Sequence, residues 1–230
     1  MMRRAGLSMR EVVAYGGAEI RDALAQDWPR WLGSEWFAAP IPNGLEDPDA
    51  YLTELAPDVL ILTGGNDLVP VPGGRSDTAP RRNCTEHALL TTAIALGLPV
   101  LGVCRGMHLI NDHFGGATTP NLAGIPASTD THAGRDHETR VLSRLGGWQA
   151  GSVLRTNSYH NQGVLPDQVA ADLITFAVSV PDEVVEAVYH PWLPIVAVQW
   201  HPERSSPSAT FDRFLFDALL DRSLPWLAER

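Results

Sequence analysis

Between Pro99 and Val103 an unbroken apolar run stops at Cys104, and glycines stand two residues before and two residues after that cysteine, at Gly102 and Gly106. A short run without polar alternation reads as a strand buried on both faces, the kind found in parallel sheets covered by helices. Beyond the cysteine, Met107, Leu109, Ile110 and Phe114 take up helical spacing. A strand that turns at once into a helix crowds its own backbone, so the positions flanking the turn must lack a Cβ. Gly-x-Cys-x-Gly is therefore the pattern of a nucleophile elbow, with cysteine in place of serine. Such a turn lifts the side chain above the sheet edge, and the helix N-terminus lowers the thiol pKa. Spacing alone leaves a second reading open, a buried and inert cysteine in a strand–helix turn.

The segments around this elbow read as an α/β chain. Residues 4–8 form a first strand with Arg10 just past its end. Residues 19–32 read as a helix with Ile20, Leu24 and Trp31 on one side, kinked or ended early by Pro29. A loop at 40–44 and a short helix at 51–55 lead to a buried strand at 58–62, followed directly by Thr63-Gly64-Gly65-Asn66-Asp67. A Gly-, Pro- and Arg-rich loop spans 69–82, and Asn83, with Glu86 three residues on, predicts the N-cap of a helix running to Leu96. The order β-α-β-α-β-α with apolar strands predicts a doubly wound, mostly parallel sheet flanked by helices, flavodoxin-like. Residues 115–134 read as loop. The second half carries strand signals at 139–142, 152–156, 173–180, 184–189 and 195–200. The pairs bracketing Pro181-Asp182 and His190-Pro191 look like antiparallel hairpins, and 210–220 is an amphipathic helix. One domain over residues 1–230 is the expectation.

Composition excludes several classes. A net charge of −10 argues against nonspecific nucleic-acid binding. No apolar run approaches the ~20 residues of a membrane span, and the basic start at Met1 to Arg4 lacks the apolar segment of a signal peptide. A cytoplasmic protein is expected. The two cysteines, Cys84 and Cys104, make no disulfide framework, and no residues have zinc-ligand spacing. All 17 basic residues are Arg, so any anion site must be built from guanidinium groups.

A thiolate nucleophile needs a base, and the base needs an orienter. His201 and Glu203, in Gln199-Trp-His-Pro-Glu203, follow a buried strand. Two apart in an extended segment, they point to one side, and Pro202 keeps the segment out of helix. The Arg105 N–H, next to the nucleophile, is one oxyanion donor by the geometry of the elbow. Gly64 and Gly65, after the 58–62 strand, suit a second, because glycines let backbone amides approach a ligand closely.

Gly-Val-Cys104-Arg-Gly-Met, Trp-His201-Pro-Glu203 and Leu-Thr-Gly-Gly-Asn66-Asp, in this order over nearly the whole chain, resemble the class I glutamine amidotransferase-like superfamily, nearest its γ-glutamyl hydrolase branch. The resemblance implies Cys104 as nucleophile, His201 as acid/base and Glu203 as orienter, with Gly65 and Arg105 supplying oxyanion amides. It implies cleavage of a γ-glutamyl amide through a thioester, with no metal or organic cofactor. Asn157-Ser158-Tyr159-His160-Asn161 resembles the family segment that borders the glutamyl pocket. Arg10, Gly64 and Asn66, together with the 19–28 stretch, are similar to the bacterial γ-glutamyl-CDP-amidate hydrolases, which implies a nucleotide-linked small molecule. Arg10, Arg21, Arg82 and Arg135 are the cations available for its phosphates. His108 stands where the family often has Gln contacting the glutamyl end, and His137 where it often has a strand His near the site. His113, His132 and His190 show no partner pattern and read as structural or solvent-facing. Other γ-glutamyl amines, γ-glutamyl-γ-aminobutyrate among them, remain open as substrates. So do a glutaminase role beside a separate synthetase and assembly as a homodimer.

Overall fold

The computed structural model describes residues 2–74, 76–124 and 132–225. Its elements, in chain order, are β1 (Arg3–Ser8), β2 (Arg10–Ala14), β3 (Glu19–Ala23), α1 (Asp27–Leu32), β4 (Trp36–Ile41), α2 (Pro48–Leu55), β5 (Val59–Leu62), α3 (Pro80–Ala95), β6 (Val100–Val103), α4 (Arg105–His113), β7 (His137–Val141), β8 (Val153–Thr156), β9 (Ile174–Val180), β10 (Val185–Tyr189), β11 (Ile195–Val198) and α5 (Ala209–Leu220). Nine strands make one sheet in the order β4-β1-β5-β6-β11-β10-β9-β7-β8. The pairings from β4 to β11 are parallel, and those from β11 to β8 are antiparallel. Both expected hairpins are present: β9–β10 turns at Pro181-Asp182 and β10–β11 at His190-Pro191.

Both faces of the parallel half are covered, and this is why its strands are uniformly apolar. Val59 and Ile61 of β5 pack with Trp28, Leu32, Phe211 and Phe216 from α1 and α5. Leu60 and Leu62, one residue out of phase, pack with Leu52, Leu89, Leu90 and Ile110 from α2, α3 and α4. Burying each large side chain contributes about 1.5–3 kcal/mol.

Three expectations are corrected. Residues 19–32 are not one helix. Residues 19–23 are β3, paired antiparallel with β2 in a two-stranded ribbon outside the main sheet, and only 27–32 are helical. The turn between them holds Gly16 at φ 64° and Gly17 at φ 101°, a conformation open to glycine at little cost. The β-branched Val12 and Val13 then outweigh a loose helical spacing in which Ile20 is in fact half-exposed. Second, α3 starts at Pro80, not after an N-cap at Asn83. Proline at the first helical position has its φ already set and lacks only an N–H that would be unpaired there. Third, residues 36–41 are a strand, β4, at the parallel edge of the sheet. No helix among the described residues is long and apolar enough to cross a membrane.

Candidate active site

Cys104 sits at the joint of β6 and α4 with φ 53° and ψ −106°, a backbone conformation that residues with a Cβ rarely adopt. Its N–H donates to the Val198 carbonyl at 2.8 Å, which ties the joint to β11. The flanking glycines are required by packing. A Cβ on Gly106 would run into the Leu62 carbonyl, and one on Gly102 would lie 2.6 Å from Ile110 Cδ1 and 2.9 Å from the Gly106 carbonyl. The elbow expected from the sequence is therefore present in the backbone.

His201 lies just beyond β11 and is buried. Its Nδ1–H donates to Glu203 Oε1 at 2.7 Å, which leaves Nε2 for Cys104. Gly64 makes room for the pair, since a Cβ there would stand 2.7 Å from His201 Cε1 and 3.5 Å from Cys104 Cβ. Burial pushes the Cys104 thiol up, but His201 and the Arg105 N–H outweigh it and hold the thiol below its ordinary range. Burial pushes His201 down, and the facing thiolate and Glu203 outweigh that and raise it to about 9. The two groups thus form an ion pair, each favouring the other's charged state.

The loop at residues 63–66 is held from beneath by Arg82, which is fully buried. Its guanidinium donates to the carbonyls of Thr63 at 2.7 Å and Gly64 at 3.1 Å, to Asn66 Oδ1 at 3.1 Å and to Glu86 Oε1 at 2.9 Å. Burial lowers the Arg82 pKa to about 10, with Glu86 acting against it. Arg105 NH1 donates to the other Glu86 oxygen and its NH2 to Asn83 Oδ1. The Arg105 side chain is therefore drawn away from the thiol while its backbone N–H faces it.

A cavity of about 220 Å³ opens on Cys104, lined also by Arg10, Gly65, Asn66, Arg105, His108, Tyr159, His160 and His201. A second, of about 280 Å³, shares Arg10, Gly65, His201 and Arg204 with the first and is walled by Gly64, Val12, Leu24 and Trp28. The structure brings together most, but not all, of the residues singled out in the sequence. Asn157 and Ser158 line neither cavity. The Asn157 amide instead clamps the backbone of the histidine: Oδ1 accepts from His201 N at 2.8 Å, and Nδ2 donates to His201 O at 2.9 Å and Ser205 O at 3.2 Å. Ser158 donates to the His132 carbonyl. Asn66 reaches the cavity wall, with its amide paired to both backbone groups of Glu11 at 3.0 Å. His108 is buried: its Nε2–H donates to Gln199 Oε1 at 2.7 Å, and burial lowers its pKa to about 3, so it is neutral.

Of the four arginines considered for phosphate, only Arg10 reaches a cavity, and it pairs with Asp77 at 2.7 Å. Arg82 is walled in, Arg21 pairs with Glu19 at 2.8 Å on the exposed ribbon, and Arg135 is exposed outside both cavities. His190 accepts from the N–H groups of Trp192 and Leu193 at 3.0 Å in its turn, and His113 lies 3.3 Å from His87. Both are structural, as expected. His132, read as structural or solvent-facing, is buried, and with His137 and His160 it converges on the buried Glu186. Sequence reasoning missed Arg204, stacked 4.4 Å from the Tyr159 ring, and Asp77 and Gln162 in the cavity wall, and it gave Asp67, which ends the Gly-Gly-Asn-Asp stretch, no role of its own. Arg204 had a signal, its place directly after Glu203; Asp77 lies in a loop that carries none.

A family model described as Peptidase C26 matches residues 35–203, a span that runs from β4 through the elbow to Glu203. The chain belongs to the Peptidase C26 family. Members of this family share the class I glutamine amidotransferase-like frame that the motifs resemble. This member is 36% identical over 174 residues to "Putative glutamine amidotransferase Rv2859c" of Mycobacterium tuberculosis, covering 70% of this chain and 54% of that one. The chain thus spans about half the length of that relative. It is 26% identical over 203 residues to a γ-glutamyl-CDP-amidate hydrolase of Campylobacter jejuni, covering 87% and 90% of the two chains. A glutamine amidotransferase structure from Thermotoga maritima superposes with a TM-score of 0.62 at 15% identity, over 97% of this chain and 85% of that one, which shows the same fold.

Proposed function

We propose that this protein hydrolyses the γ-glutamyl amide of a small molecule through a thioester on Cys104. The observation that carries the proposal is the buried Cys104–His201–Glu203 chain, with the thiol lowered and the imidazole raised. The thiolate attacks the side-chain carbonyl carbon, and the oxygen takes up negative charge against the N–H groups of Arg105 and Gly65. The His201 imidazolium gives its proton to the leaving nitrogen, the C–N bond breaks, and a γ-glutamyl thioester remains. Neutral His201 then takes a proton from water, whose oxygen attacks the thioester. The C–S bond breaks, and glutamate leaves with the thiolate restored. Glu203 holds the imidazole in the tautomer that presents Nε2 and stabilises its cation.

The leaving group is read as nucleotide-linked, with γ-glutamyl-CDP-amidate as the leading substrate. Arg10 and Arg204 supply guanidinium groups at the cavity, and Tyr159, half-exposed, offers a ring face beside Arg204. A second reading, a γ-glutamyl amine, draws on Asp67 and Asp77, two carboxylates in the same wall that suit a cationic amine. Rates on γ-glutamyl-CDP-amidate, γ-glutamyl-γ-aminobutyrate, a γ-glutamyl diamine and glutamine separate these. The expected order has the nucleotide first by orders of magnitude, and equal rates on all four reject the assignment. In Cys104→Ser, turnover is expected to fall by about 10⁴-fold or more while calorimetry still detects substrate binding. Full turnover by that variant rejects the mechanism itself.

A further inference from the structure

We infer that His132, His137, His160 and Glu186 form a buried structural site for one divalent cation of the zinc type. The ligands come from three segments: Glu186 lies on β10, His160 follows β8, and His132 and His137 precede and open β7 with an H-x4-H spacing that zinc sites use and that the sequence reading passed over. All four are buried, Glu186 completely. Ligand atoms of His132, His137 and Glu186 lie within 4.8 Å of one another. Glu186 Oε1 faces His132 Nδ1 at 3.8 Å and His160 Nε2 at 3.7 Å, and Oε2 faces His137 Nε2 at 3.4 Å. Three of these separations exceed or border the limit for a hydrogen bond, and neither carboxylate oxygen has a hydrogen-bond partner among the described residues. Zinc–nitrogen bonds of about 2.0–2.1 Å in a tetrahedron put donors roughly 3.3 Å apart, inside the 3.4–3.8 Å from Glu186 to the imidazoles and the 4.8 Å that bounds the set of His132, His137 and Glu186, so an ion draws the ligands inward.

The outward-facing ring atoms decide which nitrogens face Glu186. The Gln162 carbonyl can only accept, so the His160 Nδ1 at 2.8 Å from it bears a hydrogen. The Asp182 carboxylate imposes the same on His132 Nε2 at 2.7 Å. His132 Nδ1 and His160 Nε2 are therefore the ring atoms turned toward Glu186, and neither they nor the carboxylate oxygens have a hydrogen-bond partner among the described residues. A carbonyl on one imidazole and a carboxylate on another are the partners that orient zinc-ligating histidines. Three imidazoles, Glu186 and Asp182 together balance a charge of +2, and nitrogen with carboxylate donors suits zinc better than calcium or magnesium. Four protein ligands with no open position make the site structural. It ties the loop bearing Tyr159 and His160, which line the catalytic cavity, to β7 and β10.

The full chain carrying Cys104→Ser, which removes the thiolate as a rival ligand, is stripped with a chelator and titrated with zinc alone. Calorimetry is expected to find one equivalent bound and the thermal midpoint to rise. Glu186→Gln in the same background is expected to lose at least the ~10–100-fold in affinity that removal of an outer-shell partner alone costs. No binding and no rise in the midpoint overturn the proposal and leave a shared proton as what holds the cluster. Equal zinc affinity in folded Glu186→Gln overturns it too. If that variant fails to fold, cobalt substitution of the Cys104→Ser chain decides. An intense tetrahedral spectrum supports the site, and a weak octahedral one rejects it.

Discussion

Cys104 and His201 titrate as a pair, so neither pKa belongs to one residue alone. In the proposed reaction the pair is in its reactive form from the lowered thiol range up to about 9, where His201 loses the proton meant for the leaving nitrogen. The expected profile of kcat/KM therefore falls on the alkaline side through about 9. In a Cys84→Ser background, which removes the exposed second thiol, iodoacetamide should alkylate Cys104 well below the ordinary thiol range. Adding His201→Gln should move that alkylation profile upward, because burial then acts on the thiol without a counter-charge. An unmoved profile means that the imidazole does not stabilise the thiolate. At this scale the sequence was highly informative: cysteine, histidine and glutamate are chemically distinctive, and the turn types around them demand glycine and proline. His108 and His132 were not legible, because burial and partners decide what an imidazole does, and both depend on strands far away in the chain.

At the scale of elements, the elbow works only while two backbones touch. Gly106→Ala sets a Cβ against the Leu62 carbonyl and is expected to destabilise the fold at or above the upper end of the ~1–3 kcal/mol typical of overpacking. Gly147→Ala, where a Cβ meets nothing within 4 Å, is expected to change stability by no more than about 1 kcal/mol. Urea denaturation of both variants checks the contrast; similar losses mean that the close approach at Gly106 is not what limits the turn. The apolar runs at β5, β6 and β11 were legible because strands covered on both faces have no other composition open to them. The ribbon of β2 and β3 was not, since two strands that bury little need no apolar alternation. Its glycine turn was the readable signal, and a chance spacing of Ile20, Leu24 and Trp31 masked it. The helix start at Pro80 was misplaced because Asn83 has the chemistry of a cap, while the fold employs it as an acceptor for Arg105.

For the whole molecule, two buried imidazoles bend the stability curve in opposite directions. His108, lowered to about 3 from 6.5, stays neutral when folded but takes a proton when unfolded. Stability from this group is present above 6.5 and is lost as pH falls toward 3. His201, raised from 6.5 to about 9, contributes fully below 6.5 and loses its contribution as pH rises through about 9. These two groups alone sum to a peak near 6.5, and the lowered Cys104 thiol, whose contribution is lost as pH falls below its ordinary range, moves the maximum to the alkaline side of that value. Thermal midpoints across this range should show the maximum, and His108→Asn should flatten the acid limb while leaving the alkaline limb in place. An acid limb unchanged in that variant excludes His108 as its cause.

The ribbon formed by β2 and β3 pairs with no strand of the main sheet. It is fastened at its base by Asn66 on Glu11 and by Asp22 on Asn43, the latter at 2.7 Å and 2.8 Å. Residues at its base, Arg10, Val12 and Ala23, nonetheless wall the cavity beside His201. A segment outside the sheet register can change length and side chains without shifting the elbow or His201. In the proposed reaction, bond breaking and the choice of leaving group thus fall on separate pieces of chain, and the second is free to be exchanged while the first stays as it is.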